Sequence, residues 1–399
     1  MPAFRSIDDL DVRGRRVLVR ADLNVPVSDG IVTDMTRLTR LAPTIRELSD
    51  RGARVIVLSH FGRPKGRDTS LSLRVVVEAL EEVFAGRTVR FGEDCVGPVA
   101  EQVASSLRDG EIAVLENLRF HKGEVANDPA IARELARLGE MYVTDAFSAA
   151  HRAHASTEAL ARLLPCAAGR LMQDELEHLG RALGSPKHPL AAIVGGAKVS
   201  TKLDVLSNLI AKVDVLAIGG GMANTFLHAQ GIDVGRSLCE RDMADTAREI
   251  EAAAKRAGCL LMLPDDVVVA GALKPGVSTR IVLVGDVPRD AMILDLGPVT
   301  AARLCAEIDR CQTLVWNGPL GAFETAPFDA ATNQVARHVA ERTAIGSLVS
   351  VAGGGDTVAA LVHAGVVDRF SYVSTAGGAF LEWLEGKSLP GVEALAIGS

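Results

Sequence analysis

Short β-branched runs alternate with stretches of helical periodicity along all 399 residues, and this alternation limits the fold more than any other feature. Runs at Arg16–Ala21, Arg54–Ser59, Thr88–Phe91, Ile112–Leu115 and Met141–Asp145 are separated by helical segments near Pro43–Arg51, Leu73–Phe84, Pro98–Leu107 and Pro129–Leu138. A second series passes through Ala191–Val194, Val213–Ile218, Cys259–Leu263, Ile281–Val284, Thr313–Trp316, Leu348–Val351 and Ser371–Ser374, again with helices between. Parallel strands need a crossover of a dozen or so residues, which a helix supplies, so the alternation reads as parallel α/β layering. Two such units in tandem suit the length, at roughly 150 residues per domain. Between them Gly169–Leu183 keeps helical periodicity, and the breakers GSPKHP follow at Gly184–Pro189. The expectation is a first domain over residues 1–169, a connecting helix and hinge over 170–187, and a second domain over 188–388.

Composition removes several classes of function. The net charge is −7 with no basic block, and aromatics make up 4% of the chain, so neither an electrostatic footprint for nucleic acid nor a base-stacking platform is present. No uncharged apolar run approaches the ~18 residues of a membrane span. The six cysteines show neither CxxC spacing nor a pairing pattern, and Met1–Arg16 has no apolar signal core. The cytoplasm is the expected compartment.

Ligands of open parallel sheets sit beyond the carboxyl ends of strands. After the first series come Asp22 and Asn24, His60 and Arg63, Arg119, and Asp145 followed by His151 and Arg152; with Arg37, four arginines can converge on one crest. After the second come Gly195-Gly196-Ala197-Lys198, Gly219-Gly220-Gly221, Asn317-Gly318-Pro319, Gly353-Gly354-Gly355-Asp356-Thr357 and Ala376-Gly377-Gly378. That crest is largely bare backbone. One domain is therefore expected to grip a small polyanion with guanidinium forks, the other to lay phosphates against backbone amides and helix N-termini. Taken singly, a glycine run is ordinarily a tight turn and an arginine a surface ion-pair residue; their shared position carries the inference.

No run has Walker A or GxGxxG spacing, which argues against a P-loop and against a dinucleotide site of an oxidoreductase. Lys198 and Lys202 are spaced to share the first turn of one helical face, or to form a solvated helix start. Asp356 can cap a helix and can hold a metal carried by nucleotide phosphates. The histidines of HRAH at His151–His154 lack a third ligand for zinc. No Ser-His-Asp or Cys-His set stands at a strand end, so direct transfer between bound partners fits better than a covalent intermediate.

The strings RADLNVP (Arg20–Pro26), SHFGRP (Ser59–Pro64), LENLRF (Leu115–Phe120), DAFSAAHRAHAS (Asp145–Ser156), GGAKVSTK (Gly195–Lys202), GGGMANTF (Gly219–Phe226), LPDDVVVA (Leu263–Ala270), LDLGPVT (Leu294–Thr300), WNGPLGAFE (Trp316–Glu324), GGGDT (Gly353–Thr357) and STAGGAFLE (Ser374–Glu382) together resemble phosphoglycerate kinases across essentially the whole chain. The resemblance implies two Rossmann-like three-layer domains flanking a cleft and joined by a helix, with a tail at about 389–399 that returns to the first domain. It implies reversible transfer of the acyl phosphoryl group of 1,3-bisphosphoglycerate to Mg-ADP, giving 3-phosphoglycerate and ATP, in glycolysis and gluconeogenesis. The acid-binding set it implies is Asp22, Asn24, Arg37, His60, Arg63, Arg119 and Arg152. The nucleotide set is Gly196, Ala197, Lys198, Lys202, Gly220, Asn317, Pro319, Glu324, Gly354, Gly355, Asp356 and Thr357, with magnesium at Asp356.

Neither nucleophile of that reaction carries a proton at neutral pH, so catalysis reduces to in-line positioning and charge neutralisation after domain closure. That work is assigned to Arg37, Lys198 and the amides of Gly377 and Gly378. The adenine is expected in an aliphatic slot, and the chain is read as a monomer. A non-catalytic nucleotide sensor would not need Arg37, Lys198 and Asp356, and a kinase for another acid would not need so many arginines. Three positions depart from the family pattern: Ala376 stands where a glycine is usual, Ser148-Ala149 where Gly-Thr is usual, and Arg74 where proline is common.

Overall fold

A computed structural model of the chain describes residues 4–396. Two compact units emerge, one running to Leu176 and resuming at Ser388, the other spanning Glu177–Lys387. The first unit is built on strands β1 (Arg16–Arg20), β4 (Arg54–Leu58), β5 (Val89–Gly92), β6 (Ile112–Leu115), β7 (Met141–Thr144) and β8 (Cys166–Ala168), all parallel, in the spatial order β5-β6-β4-β1-β7-β8. A small hairpin, β2 (Val27–Ser28) with β3 (Ile31–Val32), turns at Asp29 and Gly30, both with positive φ, as a two-residue turn between twisted strands requires.

The period of two along each strand explains why both sheet faces are covered. Val17, Val19, Val55 and Val57 point to one side and pack with Leu38, Leu41, Ile45 and Leu48 of α1 (Thr36–Asp50) and Leu80 of α2 (Val77–Val83). Leu18, Ile56 and Tyr142 point to the other and pack with Ala100 and Ala104 of α3 (Gly97–Ser106) and Leu135 and Leu138 of α4 (Pro129–Leu138). Helix α1 starts seven residues earlier than the sequence predicts, because Pro43 lies inside it instead of opening it, and Leu38, Leu41 and Ala42 are already buried in the earlier turns. The helix expected over Leu73–Phe84 divides into a 3₁₀ turn at Leu73–Val76 and α2.

Residues 388–396 pack on this unit. Gly391 donates to Ala150 O at 2.9 Å, the Cys166 thiol reaches Ala394 O at 3.3 Å, and Phe4 bridges to Ala396. Residues 397–399 of the expected tail lie outside the described residues. Helix α5 (Arg170–Leu179) runs into a wider turn at Gly180–Gly184, and the division between the units falls within α5.

The second unit holds six parallel strands, β9 (Leu190–Val194), β10 (Val215–Ile218), β11 (Leu260–Met262), β15 (Thr313–Asn317), β16 (Val349–Gly353) and β17 (Tyr372–Ser374), ordered β11-β10-β9-β15-β16-β17. Helices α6 (Leu203–Ile210), α7 (Gly220–Ala229), α8 (Ala244–Ala257), α9 (Pro298–Asp309), α10 (Ala330–Ala344), α11 (Gly355–His363) and α12 (Gly377–Leu384) complete it. Ile193, Leu314 and Trp316 pack against Leu304 and Ile308 of α9 and Val335 and Val339 of α10. The strand expected near Ile281–Val284 does not join this sheet. As β13 (Thr279–Leu283) it pairs antiparallel with β12 (Asp266–Ala270), which also pairs with β14 (Met292–Leu296), around a small core of Val267, Val269, Val287 and Ala291. No helical crossover separates β12 from β13, so a short loop returns the chain antiparallel.

Candidate active site

In the first sheet the winding reverses between β1 and β7, where open parallel sheets leave a crevice beyond the strand ends. Asp22, just past β1, accepts hydrogen bonds from Ser148 Oγ at 2.5 Å and from the Asn24 amide at 3.1 Å, and pairs with Arg37 Nη1 at 3.1 Å. The same Nη1 donates to Asn24 O at 2.7 Å, while the Arg37 side chain stays 39% exposed. Asn24 Oδ1 accepts from the Gly62 amide at 2.8 Å, and Gly62 O accepts from Arg119 Nη1 at 2.6 Å. Gly62 thus ties the carboxylate-held Arg37 to the arginines beyond β4 and β6.

Those arginines line a recess of about 350 Å³ formed by Arg63, Pro64, Arg119, Val125, Arg152 and His154. Arg119 Nε is buried there without a partner among the described residues. Burial, with Arg152 and Arg20 nearby, pulls the Arg119 guanidinium down to about 10. Burial and the same cations hold His154 down at about 4 and push His60 far below its usual range. A buried donor with no acceptor costs about 1–3 kcal/mol. An anion in this recess would satisfy Arg119 Nε and relieve the mutual repulsion of the guanidinium groups. Arg152 Nε meets His151 Nε2 at 3.1 Å, and His154 stands 3.8 Å from the fully buried Glu124.

In the second unit the winding reverses between β9 and β15. The loops leaving these strands pass so closely that a Cβ on Gly195 would stand 1.9 Å from Pro319 O, and one on Gly318, at φ +105°, would stand 2.1 Å from Gly195 O. Only glycine fits either position. Asn317 donates to Gly353 O at 2.8 Å and accepts from Lys202 Nζ, and the Gly318 amide donates to Thr357 Oγ1 at 2.7 Å. Asn317 and Thr357 therefore brace the loops from beneath.

Beside them a recess of about 350 Å³ is lined by Gly196, Ala197, Gly220, Pro319, Glu324 and Asp356, with Leu238, Leu273, Met292, Leu294 and Leu320 giving it apolar walls and no aromatic ring. Gly355 and Asp356 open α11, and Gly377 and Gly378 open α12; a Cβ on Gly377 would come 3.9 Å from the Gly355 nitrogen. Two helix N-termini with unsatisfied amides thus lie side by side.

Some expectations from the sequence differ from the structure. Lys198 and Lys202 do not share a helical face: Val199–Thr201 form a 3₁₀ turn between them and α6 begins only at Leu203. Val199, Ser200 and Thr201 are weak helix formers, which suits the delayed start. Lys198 is exposed, whereas burial lowers the Lys202 ammonium, opposed by Asp356 and Glu385. Asp356 does not cap α11. Gly354, at φ +99°, occupies the capping position, and the Asp356 carboxylate stays exposed. Ala376 adopts φ −94°, which any residue tolerates, so alanine there costs no strain.

Ser148 instead of glycine supplies the hydroxyl that holds Asp22. Arg74 pairs with Glu93 and lies over the Phe91 ring at 4.5 Å. Sequence reasoning missed Arg20 and Glu124, both buried; a charged residue inside an apolar run was the signal available for Arg20, and Glu124, in a polar turn, offered none. Asp94, Cys95 and His121 bring ligand atoms within 4.8 Å of one another, but Asp94 is already engaged by His121 at 2.7 Å and Arg67 at 3.1 Å.

Residues 7–387 match the family model for phosphoglycerate kinase. Curated phosphoglycerate kinases from Rhizorhabdus wittichii and Allorhizobium ampelinum are 64% identical over 395 residues and 62% over 397, each alignment covering at least 98% of both chains. Among solved structures, the phosphoglycerate kinase from Coxiella burnetii superposes with a TM-score of 0.91 at 41% identity, and that from Pyrococcus horikoshii with 0.81 at 30%, each covering 98% of both chains. An arginine-lined crest on one Rossmann-like unit, a backbone-lined crest on the other, and similarity over nearly the full length converge on one conclusion: this chain belongs to the phosphoglycerate kinase family.

Proposed function

We propose a division of labour for the family's reaction, the reversible transfer of a phosphoryl group between 1,3-bisphosphoglycerate and ADP that yields 3-phosphoglycerate and ATP in glycolysis. The first unit takes the three-carbon phosphate through Asp22, Asn24, Arg37, His60, Arg63, Arg119 and Arg152. The second takes the nucleotide through Gly196, Ala197, Lys198, Lys202, Gly220, Asn317, Pro319, Glu324, Gly354, Gly355, Asp356 and Thr357. The observation that carries this reading is the buried Nε of Arg119, a donor among like charges with no acceptor among the described residues, which suits an anionic oxygen. In the second unit the aliphatic walls suit an adenine and the paired helix N-termini suit phosphates.

Magnesium fits the donor set. Asp356 is exposed, has no hydrogen bond or ion pair among the described residues and borders the nucleotide recess, which suits an ion that keeps most of its waters and arrives on phosphates. When bound, the ion would neutralise charge on the phosphate oxygens.

The remaining work falls to the chain. An ADP oxygen attacks the acyl phosphate in one direction and a carboxylate attacks ATP in the other, and neither needs deprotonation, so no general base is required. Arg37 is oriented in advance by Asp22 and Asn24, leaving its other nitrogens for the moving phosphoryl group. Lys198 and the free amides of Gly377 and Gly378 stabilise the same group from the nucleotide side. Direct transfer requires the two bound ligands to meet away from water, so closure about residues 170–187 precedes chemistry.

We place the chain in the cytoplasm as a monomer without nucleic-acid or membrane partners. Its six cysteines are free thiols, as a reducing compartment maintains, and no helix among the described residues is long and apolar enough to cross a membrane. An assay of 3-phosphoglycerate with ATP and magnesium, coupled to reduction of the acyl phosphate product, is expected to show turnover that disappears without either substrate. Absence of turnover with folded protein would refute the proposal.

A further inference from the structure

Arg20 ends the central strand β1, in register with Leu58 of β4 and Thr144 of β7, and is 1% exposed. No carboxylate among the described residues lies within ion-pair distance of this buried guanidinium. Its Nε donates to Ser156 Oγ at 2.8 Å, Nη1 to Ala21 O, and Nη2 lies 3.1 Å from His60 Nδ1. Ser156 passes the interaction on, its hydroxyl donating to Glu124 Oε1 at 2.6 Å and its amide to Glu124 Oε2 at 2.9 Å. Glu124 is fully buried, so its charge reaches Arg20 through one hydroxyl. Tyr142 fixes the same segment by donating to Ser156 O at 2.7 Å.

The direction of the Arg20–His60 bond follows from chemistry alone. A guanidinium has donors and no acceptor and keeps its proton at any ordinary pH, so Nδ1 must be the acceptor and must be bare. A neutral ring with a bare Nδ1 carries its proton on Nε2, which makes no hydrogen bond among the described residues. We infer that Arg20 is a positioning residue that, anchored through Ser156 and Glu124, holds His60 as the neutral Nε2–H tautomer, so that the imidazole meets the acid substrate as an uncharged donor. This rests on the reading of the first unit as the acid site. The groups facing His60 agree: Arg119 and Arg152 approach it as cations, and with His154 and burial they oppose a second proton on the ring. The site thereby gains a directional donor without adding a further positive charge beside the buried Arg20 and the half-buried Arg119 and Arg152.

The test is nitrogen NMR of the full chain labelled with ¹⁵N-histidine, with His60 assigned by the loss of its signals in His60→Gln. The expected result is an unprotonated Nδ1 and a protonated Nε2 that stay unchanged from pH 5 to 9, with Nε2–H shifting when 3-phosphoglycerate is added. A protonated Nδ1, or a ring that titrates near its ordinary value, would overturn the inference even in a fully active enzyme. Loss of the parent reading would look different, as an intact tautomer with no response to 3-phosphoglycerate and no kinase turnover. Arg20→Met is expected to release the ring into mixed tautomers that titrate, and to raise KM for 3-phosphoglycerate by about 10–100-fold with KM for ATP unchanged. If that variant is unfolded, the wild-type spectrum decides by itself.

Discussion

Beyond the strands of the first sheet, the groups that face solvent are side chains: Arg37 leaning on Asp22, and Arg63, Arg119 and Arg152 around one recess. Beyond the strands of the second they are peptide groups such as Gly355 beside Gly377, with Gly195 buried against Pro319. Each crest can hold a phosphate, but the two carry different liabilities. Guanidinium groups crowded together repel: burial first, and then Arg152 and Arg20, lower the basicity of Arg119, and a carboxylate, Glu124, lies at 0% exposure in the same unit. Amides carry no net charge and need no counter-ion, yet they must come so close that no Cβ fits. The first crest is therefore vulnerable to changes of charge, the second to changes of volume.

The largest expected break comes from the charged crest. Arg37→Ala should lower kcat by about 10²–10³-fold while KM for ATP changes little, since a preorganised stabiliser of the moving charge is removed. Near-normal kcat would take Arg37 out of the chemistry. On the backbone crest, Gly318→Ala adds one methyl and no charge. The forced φ alone costs on the order of 1–3 kcal/mol, and ADP affinity should fall roughly tenfold or more while 3-phosphoglycerate binding is retained. Calorimetric titration with each ligand separates the two effects.

A third expectation concerns stability. Burial pushes the Asp145 carboxyl up to about 7 from 3.8. Between those values the folded chain keeps a proton that the unfolded chain has released, so this group's contribution is full below about 4 and declines as pH rises to about 7, by at most about 1.4 kcal/mol per pH unit. Asp145→Asn retains an oxygen for the Met172 amide, which now donates to Asp145 Oδ1 at 3.1 Å, and should flatten that slope in urea denaturation curves. An unchanged slope would place the carboxyl in its ionised form. The smallest effect is expected for Ala376→Gly, within about twofold in kcat, because Ala376 already has an unstrained backbone and the amides of Gly377 and Gly378 are unaltered.

Much of the fold is legible in the sequence because its signal is local. Val17, Leu18 and Val19 are all apolar, which announces a strand buried on both faces, and the intervening helices force the parallel order. The antiparallel sheet is not legible in the same way: a β-branched run such as Thr279–Leu283 carries no information about its partner or direction, and pairing with Asp266–Ala270 is set by the loop and the small core between them. The exposed cations and glycines stand out by their place after strands. The residues that hold them do not. Arg20 lies within a β-branched run, Glu124 in a turn, and Ser156 far along the chain, and only folding brings the three together.

Hydrogen exchange of the full chain, read peptide by peptide with ADP alone and with 3-phosphoglycerate alone, tests the division of labour most directly. ADP should slow exchange at 195–197, 219–221, 318–320 and 354–357 and leave 20–24, 60–63 and 148–152 unchanged, with 3-phosphoglycerate giving the opposite pattern. Protection of the arginine-bearing segments by ADP, with the glycine loops unaffected, would contradict the account.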